Sequence, residues 1–269
     1  MKLQTPISYQ GGKQRIANKI VDIIYPHLGD KTFYDICCGS GSISIEMVNR
    51  GIDPAKIVMI DQGPWGLFWK MIGDGTFDID KFREWCSKVP KNTADIQSYI
   101  KELSRQKSFE DTVYVFLLLQ ASSFGGKAIW FKGEDWKNCS FRSYWQPTLT
   151  SNRKSPVNPM MPMPDTLFER VRIVAEKMKG IIGCNVSADS VAVSIDAVIY
   201  IDPPYDDTTA YGYSFDYMKF VSEIGKVKCF VSEGKSLSDK YHLIETVRLK
   251  GGISGTRKSY NEEWLSEFN

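Results

Sequence analysis

Apolar positions along this chain gather in short runs, closed by glycine, proline or polar residues. Residues 33–37, 56–62, 181–190, 197–201 and 226–234 carry such runs, and runs of four to eight apolar residues between turn signals read as buried strands. Other stretches have helical character. "SISIEMVNR" follows the Gly39-Ser40-Gly41 turn and stops at Gly51, and "PWGLFWKMI" follows the second strand. Residues 111–124 are almost wholly apolar and read as a buried helix, and residues 165–180 read as an amphipathic one. Residues 74–110 mix short polar and apolar segments and read as further helices, while residues 242–268 read as two strands joined by a glycine-rich turn. Strands alternating with helices predict an α/β fold around a mostly parallel, doubly wound sheet. Residues 125–165 break this pattern. They hold Gly125-Gly126, a set of basic and aromatic residues, and the proline cluster "PVNPMMPMP", which together predict an inserted, loop-rich module.

Bulk composition narrows the class only a little. With 269 residues, 42% hydrophobic and 25% charged, the chain is long enough for one α/β domain with an insert. No apolar run reaches the roughly 18–20 residues of a membrane span. The stretch "MKLQTPISYQGGK" has no apolar segment of signal-peptide type, so a cytoplasmic protein is expected. The six cysteines form no CxxC pair and there are only two histidines, which predicts reduced thiols and no zinc site. A net charge of +2 says little about nucleic acid. The distribution says more. Lys127, Trp130, Lys132, Trp136, Lys137, Arg142, Arg153 and Lys154 interleave basic groups with aromatics, as a nucleic-acid surface does. A solvated subdomain with its own small core has the same composition.

Chemistry enters at the end of the fourth strand. "VIYIDPPYDDTTAYGYSF" (198–215) runs from a buried strand into Asp202-Pro203-Pro204-Tyr205. Proline has no N–H for the ladder, and a residue before proline is pushed to extended geometry. The strand therefore ends in a stiff corner offering a carboxylate, carbonyls and a ring, at the edge where open α/β sheets place ligands. Gly39-x-Gly41, after the first strand, lets backbone approach a ligand at a helix N-terminus. It lacks the third glycine of the dinucleotide fingerprint. Asp61, closing the second strand, suits the two hydroxyls of a ribose or a helix cap. Asp189, near the end of the third strand, suits an adenine amino group or a cap.

In this order the chain resembles Dam-like DNA adenine methyltransferases. "PISYQGGKQRIANKI" (6–20) resembles that family's N-terminal cofactor motif, and "FYDICCGSGSISIEMV" (33–48) its glycine-loop motif. The stretch 198–215 is similar to its catalytic motif nearly letter for letter, and "SGTRKSYNEEWLSEF" (254–268) more weakly to its closing hairpin. Cys37 and Cys38 stand where the family carries an aromatic and a small residue. The resemblance implies a Rossmann-like class I methyltransferase sheet, S-adenosylmethionine as methyl donor and the N6 amine of adenine in double-stranded DNA as acceptor. It implies a cofactor site of Tyr9, Lys13, Asp35, Gly39, Gly41, Asp61, Asp189 and Asp202, and a catalytic corner of Asp202, Pro203, Pro204 and Tyr205. Residues 1–73 and 181–269 then form the catalytic domain of a monomer or dimer, and residues 74–180 the target-recognition region. Three alternatives remain open: another planar amine as acceptor (cytosine N4, RNA adenine or a glutamine side chain), a NAD-dependent oxidoreductase, and a catalytically silent DNA-binding relative.

Overall fold

The computed structural model describes residues 2–107, 111–204, 212–250 and 258–269. Its centre is a seven-stranded sheet. In chain order the elements that build it begin with α1 (Ala17–Ile24), β1 (Thr32–Ile36), α2 (Ser42–Asn49), β2 (Ile57–Asp61) and α3 (Pro64–Asp74). A helical run follows: α4 (Ile79–Ser87), α5 (Ile96–Leu103) and α6 (Thr112–Ser122). Two three-residue strands, β3 (Trp130–Lys132) and β4 (Asp135–Lys137), pair as a separate antiparallel hairpin. Then come α7 (Pro164–Lys177), β5 (Ile182–Asn185), β6 (Ala197–Ile201), α8 (Tyr217–Glu223), β7 (Lys228–Glu233), β8 (Tyr241–Lys250) and β9 (Lys258–Phe268).

The strand order is β5-β2-β1-β6-β7-β9-β8, parallel except that β9 runs antiparallel to both neighbours. This α/β architecture, with helices on both sides of the sheet, is compatible with a Rossmann-like fold. From β1 the chain moves outward through β2 to β5. It then returns to the other side of β1 at β6. That reversal opens a crevice beyond the carboxyl ends of β1 and β6, where ligands of open α/β sheets bind.

Burial follows the pleat. All five residues of β6 are buried, because both faces of that strand are covered. Val198 and Tyr200 join one core with Phe33, Ile57, Met59 and Phe230, under α1, α2 and α3. Ile199 and Ile201 face the other core with Ile36, Val58 and Ile60, under Tyr217, Phe220 and Val221 of α8. α6 is buried along its whole length, as expected for a helix apolar on every side. The buried residues of α4, α5, α6 and α7 are continuous with the first core, so the helical part of residues 74–180 packs on the sheet without a core of its own.

Two expectations need correction. Strand β1 ends at Ile36, and Cys37, expected in the strand, turns out of it with a φ of +59°. Asp189 is not at a strand end: β5 stops at Asn185, and Asp189 is an exposed residue of a short helical turn, Ala188–Ser190. Residues 125–165 also hold a short element that the sequence did not signal, the β3–β4 hairpin. The C-terminal hairpin is present as expected, with an irregularity between Leu243 and Glu245. Among the described residues no helix is long and apolar enough to cross a membrane, no His/Cys/Asp/Glu cluster could hold a metal, and all six cysteines are free.

Candidate active site

The β1–β6 crevice holds a cavity of about 450 Å³. Its floor comes from the turn after β1. Gly39 and Gly41 have φ of +48° and +75°, values that favour glycine. The Gly39 carbonyl accepts from Trp69 Nε1 at 2.8 Å, and its N–H donates to Asp61 Oδ2 at 2.8 Å. The end of β2 is thereby tied to the turn. Gly41 lies beneath, as the residue before α2. A Cβ added there would sit 2.4 Å from Trp69 Cζ2, so the indole occupies the space a side chain would need. Tyr9 covers the same turn from above, its ring edge-on to Trp65.

The opposite wall is the proline corner. The Asp202 N–H still donates to the Ile36 carbonyl at 3.1 Å, after which Pro203 and Pro204 carry the chain along the cavity. Lys13 Nζ reaches Asp202 Oδ1 at 2.6 Å, with the Gly11 carbonyl at 2.9 Å and Glu263 Oε1 of β9 at 3.6 Å. Asp35 also borders the cavity, but its Oδ2 accepts from the Ser44 N–H and Oγ, so it anchors the start of α2 to β1. Tyr205 lies outside the described residues.

Five carboxylates line the cavity (Asp35, Asp61, Asp202, Glu245 and Glu263), against Lys13 and Arg15. Burial lifts Asp35 and Asp61 to about 7; hydrogen bonds from Ser44 and from the Gly39 and Gln62 backbone pull the other way. Burial also holds Asp202 above the usual carboxylate range, at about 6, against the pull of the Lys13 ammonium. These groups keep protons in the folded chain that the unfolded chain sheds near pH 4. Their contribution to stability is therefore greatest at acid pH and falls as pH rises through about 6–7. An acidic, partly protonated cavity of this kind favours a ligand that brings positive charge and hydroxyl donors.

The structure brings together Tyr9, Lys13, Asp35, Gly39, Asp61, Asp202, Pro203 and Pro204 on one cavity, with Gly41 supporting it. Asp189 does not border it; Ser187, whose hydroxyl donates to Asp189, does. The basic-aromatic set divides. Trp136 is buried and stacks on Phe131 at 3.7 Å, so it is core and not surface. Trp130 borders the cavity, where a Cβ on Gly212 would fall 2.2 Å from its ring. Arg142 donates to the Ser123 carbonyl, and Arg153 donates to carbonyls of its own loop at Ser155 and Pro156. Lys137 pairs with Asp135. Lys127, Lys132 and Lys154 are exposed, with no carboxylate at ion-pair distance among the described residues.

Sequence reasoning missed Trp65, Ser42, Glu245 and Glu263. Trp65 Nε1 and Ser42 Oγ are buried at the cavity with no hydrogen-bond partner among the described residues. Composition carries no sign of this, because a tryptophan or serine in an apolar run reads as filler. Compared with known protein families and with curated proteins, the chain matches none.

Proposed function

We propose that this chain transfers a methyl group from S-adenosylmethionine to the N6 amine of adenine in duplex DNA. The observation that carries the proposal is the convergence of Asp202, the Gly39 turn and Asp61 on one cavity at the sheet's switch point. The antiparallel β9 between β7 and β8 accords with the class I methyltransferase sheet that the sequence resemblance implies.

The residues present suit the cofactor. Asp61, on the Gly39 turn, would accept from ribose hydroxyls. The buried Trp65 Nε1 and Ser42 Oγ are donors in need of acceptors, and the surplus of carboxylates suits a cation. When bound, S-adenosylmethionine supplies an electrophilic methyl on a positively charged sulfur. The chain supplies the rest. An adenine amine is a weak nucleophile, since its lone pair is delocalised into the ring. Asp202 and the Pro203 carbonyl can accept its two N–H bonds, which favours a more tetrahedral nitrogen and aims the lone pair. Tyr205 is assigned by the resemblance to stacking on the base. The base has to leave the duplex to reach such a corner. Positioning and local electrostatics carry the rate, because no strong base is needed before transfer.

Ribose binding by Asp61 gives a pH signature. An ionised Asp61 is the better acceptor, and burial raises it to about 7. S-adenosylhomocysteine should bind about tenfold more weakly at pH 6 than at pH 8. Calorimetry on the Asp61→Asn variant should show weaker binding and a flatter pH response. An unchanged affinity and slope would remove Asp61 from the site.

For DNA, the free lysines replace the full basic-aromatic set as the expected phosphate contacts. Lys132→Ala with Lys154→Ala should lower the slope of log affinity against log salt by about two units. Cofactor affinity should not change. An unaltered slope would place the DNA-contacting surface elsewhere.

An oxidoreductase reading fits less well. The position of the third fingerprint glycine is taken by Ser44, buried and bonded to Asp35. Incubation with methyl-labelled cofactor and duplex DNA tests the proposal: label retained in the DNA supports it, and label in no acceptor contradicts it.

A further inference from the structure

An ammonium group stands where the acceptor amine has to go. Lys13 Nζ lies 2.6 Å from Asp202 Oδ1 and also donates to the Gly11 carbonyl. An incoming amine needs the same carboxylate. Lys13 cannot answer by swinging into water, because its side chain is only 5% exposed. A buried cation that leaves one anion needs another within reach. Glu263 Oε1, at 3.6 Å, is placed to be that second anion.

The hairpin that carries Glu263 gives this weight. Glu263 on β9 is directly opposite Glu245 on β8. Like charges in that register destabilise a hairpin. Lys19 Nζ lies 3.6 Å from Glu245, and Lys13 stands at the same distance from Glu263. Each acid therefore faces a lysine of the N-terminal segment, and the Glu263 lysine is the one already held by Asp202.

We propose that Glu263 is a positioning residue which takes over the Lys13 ammonium when an acceptor amine enters at Asp202, an inference that rests on the methyltransferase reading. No bond is made or broken in this exchange. Lys13 stays protonated, Asp202 stays ionised, and one hydrogen-bonded cation is traded for a neutral amine. Without Glu263 the ammonium stays on Asp202 and the competent state is less populated.

Single-turnover methylation of duplex DNA, at saturating cofactor and DNA, tests this. Glu263→Gln should slow transfer on the order of tenfold, by depleting the competent state. Saturating cofactor removes from this rate any change in cofactor affinity that follows from taking a carboxylate out of the cavity. Glu263→Asp keeps the charge on a shorter stem and should fall between the two; it also serves if the glutamine variant does not fold. The decisive comparison uses a Lys13→Met background. There the Glu263→Gln change should have no further effect, because no ammonium remains to be moved. An unslowed Glu263→Gln, or an equal slowing in both backgrounds, overturns the inference while leaving the function standing. An unaltered chain that methylates no acceptor overturns both.

Discussion

Asp202→Ala should lower methyl transfer by roughly 10²–10³-fold while the chain still folds. The carboxylate sits just past the last residue of β6, and only its backbone N–H takes part in the sheet, through the Ile36 carbonyl. Burial already works against its charged form, so deleting it removes a desolvation cost. Lys13 keeps the Gly11 carbonyl and Glu263 as partners. Circular dichroism should therefore match the unaltered chain. The loss should fall on the chemistry, because in the proposed mechanism Asp202 is the corner's fully charged acceptor for the amine. Asp202→Asn keeps the shape and one acceptor oxygen and should retain slightly more activity. Acid should mimic both changes, with transfer falling as pH drops through about 6 and Asp202 takes up a proton. Near-normal turnover of Asp202→Ala at saturating cofactor would be incompatible with the mechanism.

Gly41→Ala should be strongly destabilising. Its φ of +75° costs an L-residue roughly 1–2 kcal/mol. The new methyl would lie 2.4 Å from Trp69 Cζ2 and 2.8 Å from Met59 Cε, and crowding of this kind adds roughly 1–3 kcal/mol. Trp69 cannot withdraw easily, because it is fully buried and its Nε1 holds the Gly39 carbonyl. The sum, about 2–5 kcal/mol, corresponds to a fall of roughly 4–20 °C in Tm. The displaced indole would also disturb the Gly39 turn, so S-adenosylhomocysteine affinity should fall with it. Gly51→Ala separates strain from crowding, since Gly51 has a φ of +89° and nothing within 4 Å of its added Cβ. Equal losses at the two positions would mean that the packing of Trp69 contributes nothing.

The parts of the fold that could be read from the chain are those with strong local signals. β6 is an unbroken apolar run stopped by prolines, and α6 is apolar throughout. The glycines of the turn mark the end of β1 to within one residue, but nothing in a cysteine announces the positive φ of Cys37. α8 went unread because its seven residues give too little periodicity, and the three-residue strands of the hairpin give less. Within the site, Asp61 and Asp202 could be placed because each closes a strand. Asp189 could not, because the chain leaves β5 four residues earlier and turns before reaching it. Glu263 was illegible for a different reason. Its partner is Lys13, at the far end of the chain, and only the order of the strands brings them together. Trp136 and Trp130 show the limit of composition, since two tryptophans six residues apart differ in whether they fill a core or border a cavity.

The most direct test is the identity of the methylated product. The chain is incubated with methyl-labelled S-adenosylmethionine and duplex DNA of mixed sequence, and the DNA is digested to nucleosides and separated. The account expects the label in N6-methyladenine, with little or none when the chain carries Asp202→Ala. Label in N4-methylcytosine, or no label in the DNA at all, would contradict it.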